Sequence, residues 1–305
     1  MSTARERFRA VLGGGTPPAP VYAPLFTALA ARVGGTGYHG MSGDPALWSA
    51  ALARTAGLFD LEAVCLAADP ALLAEACGAP VTWAADRPTV AGPAPAIVET
   101  PQDARRLAAF LQTAQRAFAA TDRARVAALS GPLLLAEQLC GADGAEAGLN
   151  SAKQVLNGAL EALCASRPDL VVLIEGPTLG AAAPGGPLRR AYNTLKNVAG
   201  YFDVPLAVVL EGYAPDGLAA FAALPADVYV LGRAADGSLP APTDAFPEAR
   251  ALGVCLPPLA DDATHAALAQ WRATKRPVFY TSLEPDTGGL DIDAVHAFVR
   301  ALRAD

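Results

Sequence analysis

The 305-residue sequence contains no uninterrupted apolar run of about 18 residues, the length a helix needs to cross a bilayer, so membrane insertion is not expected. It also lacks any run of Lys or Arg. Acids outnumber bases to give a net charge of −7, which argues against a nucleic-acid partner. The five cysteines, at 65, 77, 140, 164 and 255, are odd in number and show neither CxxC nor Cys/His metal spacing. They read as reduced core residues of a cytoplasmic protein. The opening Met1-Ser-Thr-Ala-Arg-Glu-Arg-Phe-Arg9 is polar and leads into no long apolar region, so no secretory signal is expected. Gly13-Gly-Gly15 and Gly180-Ala-Ala-Ala-Pro-Gly-Gly186 do not match a phosphate-binding pattern and read as loops.

What is present is a large apolar fraction, 52% of the residues, much of it in short runs that end in acids. Leu170-Val-Val-Leu-Ile-Glu-Gly176 is the clearest. Consecutive aliphatic residues suit a strand buried on both faces in a parallel sheet. Removing a carboxylate from water costs several kcal/mol unless it is paired, so Glu175 should stand where the strand leaves the core. Pro205-Leu-Ala-Val-Val-Leu-Glu-Gly212 repeats the arrangement with Glu211, and Glu62-Ala-Val-Cys-Leu-Ala-Ala-Asp69 approaches it with Asp69. Further strands are expected at 21–26, 125–131, 227–233, 251–256 and 277–282. Helices are expected at 3–12, 44–57, 151–166 and 188–202, with one starting near 101–103 and another opening at Gly131-Pro132. A small hairpin fits 81–83 and 88–90. Strands alternating with helices imply parallel pairing by right-handed crossovers. Eight such strands in 305 residues is the size of a (β/α)8 TIM barrel, here one domain over 1–305 with a short N-terminal helix.

In such a fold the strand C-termini carry the site. Asp69 is the leading candidate: a carboxylate in a water-poor pocket stabilises developing positive charge or passes a proton. The alternative role for it is a helix cap ahead of Pro70-Ala-Leu-Leu. Glu175 and Glu211 stand on adjacent expected strands, so their carboxyls meeting at the mouth would push one pKa upward for acid/base work, or share a metal or a cationic substrate group. Either one pairing with a structural Arg, such as Arg233, is the alternative. Arg233 is itself a candidate for gripping a substrate carboxylate bidentately. Tyr38 and His39 sit in the glycine-rich loop Gly34-Gly-Thr-Gly-Tyr-His-Gly40, where a His serves as proton donor, lid contact or solvated surface residue. His265 and His296 fall in expected helices and read as packing or surface residues. Cys255 reads as core or a lone metal ligand. Tyr213, Gln138 and Tyr280 are candidate pocket walls.

The order and spacing of several short motifs resemble the uroporphyrinogen decarboxylase superfamily, which also holds the methylcobalamin:thiol methyltransferases. They are Arg5-Glu-Arg-Phe-Arg-Ala-Val-Leu12, Asp44-Pro45, Phe59-Asp60, Asp69 with Gly78, Thr100-Pro-Gln-Asp103, Ser130-Gly-Pro132, Pro168-Asp169 and Pro285-Asp286-Thr287, together spanning nearly the whole chain. The resemblance implies a TIM barrel, and it places Asp69 where the decarboxylases keep the Asp that stabilises a protonated pyrrole. This sequence departs from both branches. The decarboxylases' Arg-rich segment corresponds to Val21-Tyr-Ala-Pro-Leu-Phe-Thr-Ala-Leu-Ala30, which has no Arg, and their late His falls near Thr281. The methyltransferases' zinc-binding His-x-Cys and late Cys correspond to Val209-Leu-Glu211 and Thr281-Ser282. The expectation is therefore proton transfer or decarboxylation on a small carboxylated, pyrrole-type substrate, without metal or redox cofactor. Asp69, Glu175 and Glu211 would be its acids and Arg233 its anchor. Methyl transfer from a corrinoid, with zinc or a corrinoid protein as accessory, is the second expectation. A non-catalytic tetrapyrrole- or corrinoid-binding barrel is the third. The family often forms homodimers.

Overall fold

The computed structural model describes residues 2–181, 183–284 and 289–304, so the turn expected at Pro285-Asp286-Thr287 lies outside the described residues. Helix α1 (Ala4–Leu12) begins with a reciprocal cap, the Glu6 N–H donating to Thr3 Oγ1 at 3.1 Å and the Thr3 N–H to Glu6 Oε2 at 2.7 Å. Helices α2 (Ala28–Val33), α3 (Tyr38–Met41) and α4 (Pro45–Leu58) follow. Asp44 accepts from the Ala46 and Leu47 N–H groups, which fixes the start of α4. Next come β1 (Ala63–Ala67), α5 (Leu72–Ala76), the hairpin β2 (Val81–Ala84) and β3 (Arg87–Val90), and α6 (Arg105–Ala119). Strand β4 (Ala124–Ser130) leads to α7 (Pro132–Cys140) and α8 (Ala145–Cys164). Strand β5 (Leu170–Ile174) leads to α9 (Pro177–Gly180) and α10 (Gly186–Tyr201). Strand β6 (Leu206–Leu210), a 3₁₀ stretch over Pro215–Ala223, β7 (Val228–Leu231) and β8 (Leu252–Cys255) precede α11 (Asp262–Ala273), β9 (Val278–Thr281) and α12 (Ile292–Arg303). None of the helices among the described residues is long and apolar enough to cross a membrane.

Seven strands pair in parallel in the order β1-β4-β5-β6-β7-β8-β9. Side chains alternate across a strand, and here the two faces feed separate apolar clusters. Ala63, Ala67, Val126, Val172, Val209, Val230 and Phe279 gather in one. That cluster joins the first and last strands of the sheet, so the sheet curls around it. The other holds Leu66, Leu129, Leu173, Val208 and Leu231 against the helices. Space inside the curl is tight: a Cβ on Gly253 would stand 2.9 Å from Phe279 Cζ. Helix α1 closes the interior where the strands begin, inserting Phe8 and Val11, with the Phe8 ring 5.4 Å from that of Phe279. Arg5 and Arg9 tie it to Asp169, ahead of β5, by ion pairs of 2.9 and 2.6 Å.

The eighth strand, expected at 21–26, is not present as a strand. That segment makes isolated parallel bridges with β9 and its extension, Tyr22 with Tyr280 and Leu25 with Leu283. The Ala23 and Leu25 N–H groups donate to Tyr280 and Ser282 carbonyls at 2.9 and 2.8 Å, so the alternate donors point toward β1. On that side the Tyr22 N–H is taken by Glu62 Oε2 at 3.1 Å, and Pro24 has no N–H. The Ala23 carbonyl accepts from Thr281 Oγ1 at 2.7 Å. The result is a curled seven-stranded sheet rather than a closed barrel of eight hydrogen-bonded strands. Side chains reinforce the β9 side, where Glu284, beyond β9, accepts from the N–H groups of Thr27, Ala28 and Leu29, each at 2.8 Å; toward β1 it is the Glu62 side chain that reaches Tyr22.

Candidate functional site

Past the end of β1 the chain turns at Asp69, whose carboxylate accepts the Ala71 N–H at 3.0 Å. This is the turn-capping role open to an Asp before Pro. The same carboxylate accepts from the Tyr38 hydroxyl at 2.8 Å and forms an ion pair with Arg106. Arg106, on the first turn of α6, also pairs with Glu75 of α5 and donates from Nε to Ser42 Oγ at 3.1 Å. Its guanidinium lies 4.8 Å from the Trp83 ring centre. Asp69 is only 4% exposed. Burial pushes its carboxyl above the ordinary carboxylate range, while Arg106, Tyr38 and the Ala71 N–H pull it back. Two acids and one guanidinium leave the group with one net negative charge.

Tyr38 and His39 occupy the helical turn α3 rather than an open loop. The hairpin sets their position. Asp86, at the turn between β2 and β3, accepts the Tyr38 N–H and, at 2.8 Å, the His39 N–H. The His39 ring stacks on Trp83 with 4.1 Å between centroids and 18° between planes. Beside this stack opens a cleft of about 230 Å³, lined by His39, Gly43, Leu72, Glu75, Trp83, Arg105 and Arg106 among others.

Glu175 follows β5 and is fully buried. Its carboxylate accepts the Leu133 and Leu134 N–H groups of α7 at 3.2 and 2.8 Å and the Tyr192 hydroxyl at 2.8 Å. It therefore caps α7 from a distant part of the chain, beside the positive end of the helix dipole. Gly131 is what lets it in, because a Cβ there would fall 2.3 Å from Glu175 Cδ. Burial pushes this carboxyl up to about 7 against the pull of its three donors, and nearby Glu137 adds to the rise.

Glu211 turns elsewhere. Its Cγ lies against Gly232, where a Cβ would come within 2.6 Å. The expected meeting of the two acids at the mouth is thus corrected: Glu175 is committed to α7 and Tyr192, while Glu211 lies toward β7 and β8. Burial, with the Glu211 charge adding to it, pushes the Cys255 thiol up to about 12. The exposed Arg233 donates to the Gly237 carbonyl at 2.8 Å. Its charge is felt at both Cys255 and Asp261. Tyr213 is buried and donates to the Gly232 carbonyl at 3.1 Å.

Tyr280 is not a pocket wall of the sheet interior. Alternation along β9 sends Phe279 inward and Tyr280 into the helix-facing cluster, with Arg272 of α11 near enough to affect its titration. Gln138 lies on α7, and its buried Oε1 has no hydrogen-bond partner. His265 and His296 fall on α11 and α12, as expected. The five cysteines are all free. No group of three or more His, Cys, Asp or Glu suited to a metal gathers among the described residues.

Comparison with solved structures finds this architecture in a methyltransferase from Methanosarcina mazei. The TM-score is 0.78 and the sequence identity 17%, over 99% of this chain and 98% of the other. The two proteins share a fold. No family model and no curated protein matches the sequence. A shared fold leaves the chemistry to the residues on it. Arg106, Glu75, Trp83 and Asp86 join the sequence candidates Tyr38, His39 and Asp69 there. None of the four stands at the end of an apolar run, so strand-end reasoning passes over them. The only trace in the sequence is the Arg105-Arg106 pair opening a helix, a place where bases are disfavoured.

Proposed function

We propose that the protein is an enzyme of proton transfer or decarboxylation, acting on a small carboxylated substrate at the C-terminal ends of its strands. One observation carries this reading: the buried Asp69, oriented by Tyr38 and Arg106 within a group of net negative charge. Such a group stabilises positive charge developing on a substrate, as when a pyrrole-type ring is protonated before losing carbon dioxide. Its raised pKa suits passing the proton itself. In this reading Arg106 positions Asp69, Arg233 offers a substrate carboxylate its exposed guanidinium, and Glu211 is a secondary acid. Glu175 drops out of the chemistry, since its oxygens already serve α7 and Tyr192.

The test measures carbon dioxide release from pyrrole carboxylates and porphyrinogens. Asp69→Asn should lower turnover by about 10²–10⁴-fold, the usual contribution of a positioned acid or base. Tyr38→Phe keeps the ion pair and separates lost chemistry from lost folding; it should reduce turnover while leaving the unfolding midpoint close to wild type. Unchanged release in folded Asp69→Asn would refute the proposal, and tight pigment binding without turnover would put the non-catalytic barrel first.

The fold shared with a methyltransferase favours methyl transfer as a second reading. A thiol-activating zinc does not fit these residues. Val209 is buried among the interior side chains, and the Thr281 and Ser282 hydroxyls donate to the Ala23 and Leu256 carbonyls at 2.7 and 2.6 Å. That leaves Glu211 as the one ligand type at the corresponding positions. Methyl transfer here would take its donor from a corrinoid, free or protein-bound, without that zinc. Demethylation of methylcobalamin followed by absorbance, alongside elemental analysis for zinc, distinguishes the readings.

A further inference from the structure

The two arginines that open α6 differ in their surroundings. Arg106 is matched by two carboxylates, Asp69 and Glu75. Its neighbour Arg105 is exposed, and no carboxylate pairs with it among the described residues. Its guanidinium lies over Gly43, where an added Cβ would meet Arg105 Nη2 at 3.4 Å, in ordinary contact. An unmatched base at a helix start opposes the dipole, and a local rule broken without compensation marks a functional position. Arg105 lines the cleft of about 230 Å³ together with the apolar Leu72, Ala76 and Leu107 and the stacked His39 and Trp83.

We propose that this cleft binds a small, flat carboxylate, of the size of a single aromatic ring, with Arg105 holding its carboxylate group. The volume lies below the roughly 300–1,000 Å³ of pockets that enclose drug-sized ligands, which limits the guest to about one ring. With Leu72 and Leu107 fully buried, the half-buried Trp83 and Ala76 give the cleft the apolar surface that a small ring can touch. Glu75, the acid lining the cleft, is engaged with Arg106, which leaves Arg105 as the lining charge that no carboxylate pairs with among the described residues and that an anionic guest can meet. The assignment is independent of whether Asp69 performs proton transfer.

Trp83 supplies the readout, because the other two tryptophans, Trp48 and Trp271, are buried at 0% and 1% exposure. Benzoate and pyrrole-2-carboxylate are titrated against the intact protein by tryptophan fluorescence and calorimetry, with benzamide as the uncharged isostere. At least one carboxylate should bind saturably, with benzamide at least tenfold weaker. Arg105→Gln should weaken the carboxylate at least tenfold and leave the unfolding midpoint unchanged, since its exposed side chain has no carboxylate partner among the described residues to lose. Gly43→Val should weaken it also, by displacing the guanidinium. Equal binding of benzamide, undiminished binding by Arg105→Gln, or no saturable binding of either carboxylate overturns the proposal.

Discussion

Single residues at the strand ends show why a carboxylate after an apolar run is an ambiguous sign. Asp69 and Glu175 have the same sequence signature, yet one joins a charged network beside a cleft and the other caps a helix. The difference lies in partners far along the chain, Tyr38 and Arg106 for Asp69, Leu134 and Tyr192 for Glu175. No local pattern reveals them. The helix-capping role makes its own prediction. The folded-state pKa of Glu175, about 7, lies above its ordinary value of 4.5, so the folded protein holds this proton more tightly than the unfolded chain. Stability is therefore fully supported below pH 4.5 and falls as the pH rises toward 7, by an amount on the order of 3 kcal/mol. Glu175→Gln removes that slope. Denaturant midpoints at pH 5 and pH 7.5 check it, and parallel slopes in the two proteins would show that Glu175 is not held neutral.

At the scale of elements, the strands were legible because buried parallel strands read as continuous apolar runs, and all seven fall on expected segments. The segment at 21–26 has the same composition but carries Pro24, and the missing N–H decides against a ladder on its β1 side. The hairpin was also legible, but not its purpose. By accepting the Tyr38 and His39 N–H groups, Asp86 makes β2 and β3 the support on which α3 rests, and through Tyr38 it reaches Asp69. Asp86→Ala should lower stability by about 0.5–2 kcal/mol, as for other lost helix caps. The amides of Met41 and Ser42, which bond to Gly37 and Tyr38 carbonyls, should then exchange faster than those within α4. Unchanged exchange there would mean the hairpin does not hold α3.

For the whole molecule, the size and the alternation of strands and helices foretold a barrel, and the structure delivers its curl and filled interior without the eighth hydrogen-bonded strand. The seam lies between β1 and the segment from Val21 to Leu25. The Ala68 N–H donates to Ala128, so the alternate amides of Cys65 and Ala67 face the seam. Hydrogen exchange at these two should outpace that at Leu66, although all three residues are buried. Equal protection would mean that the seam is laced in solution.

The plug formed by Phe8 and Val11 closes one end of the curled sheet. Side chains fill the axis and α1 stoppers the far end, so a guest at the strand ends has no through-passage. A guest bound at the strand ends would then leave on the side by which it entered.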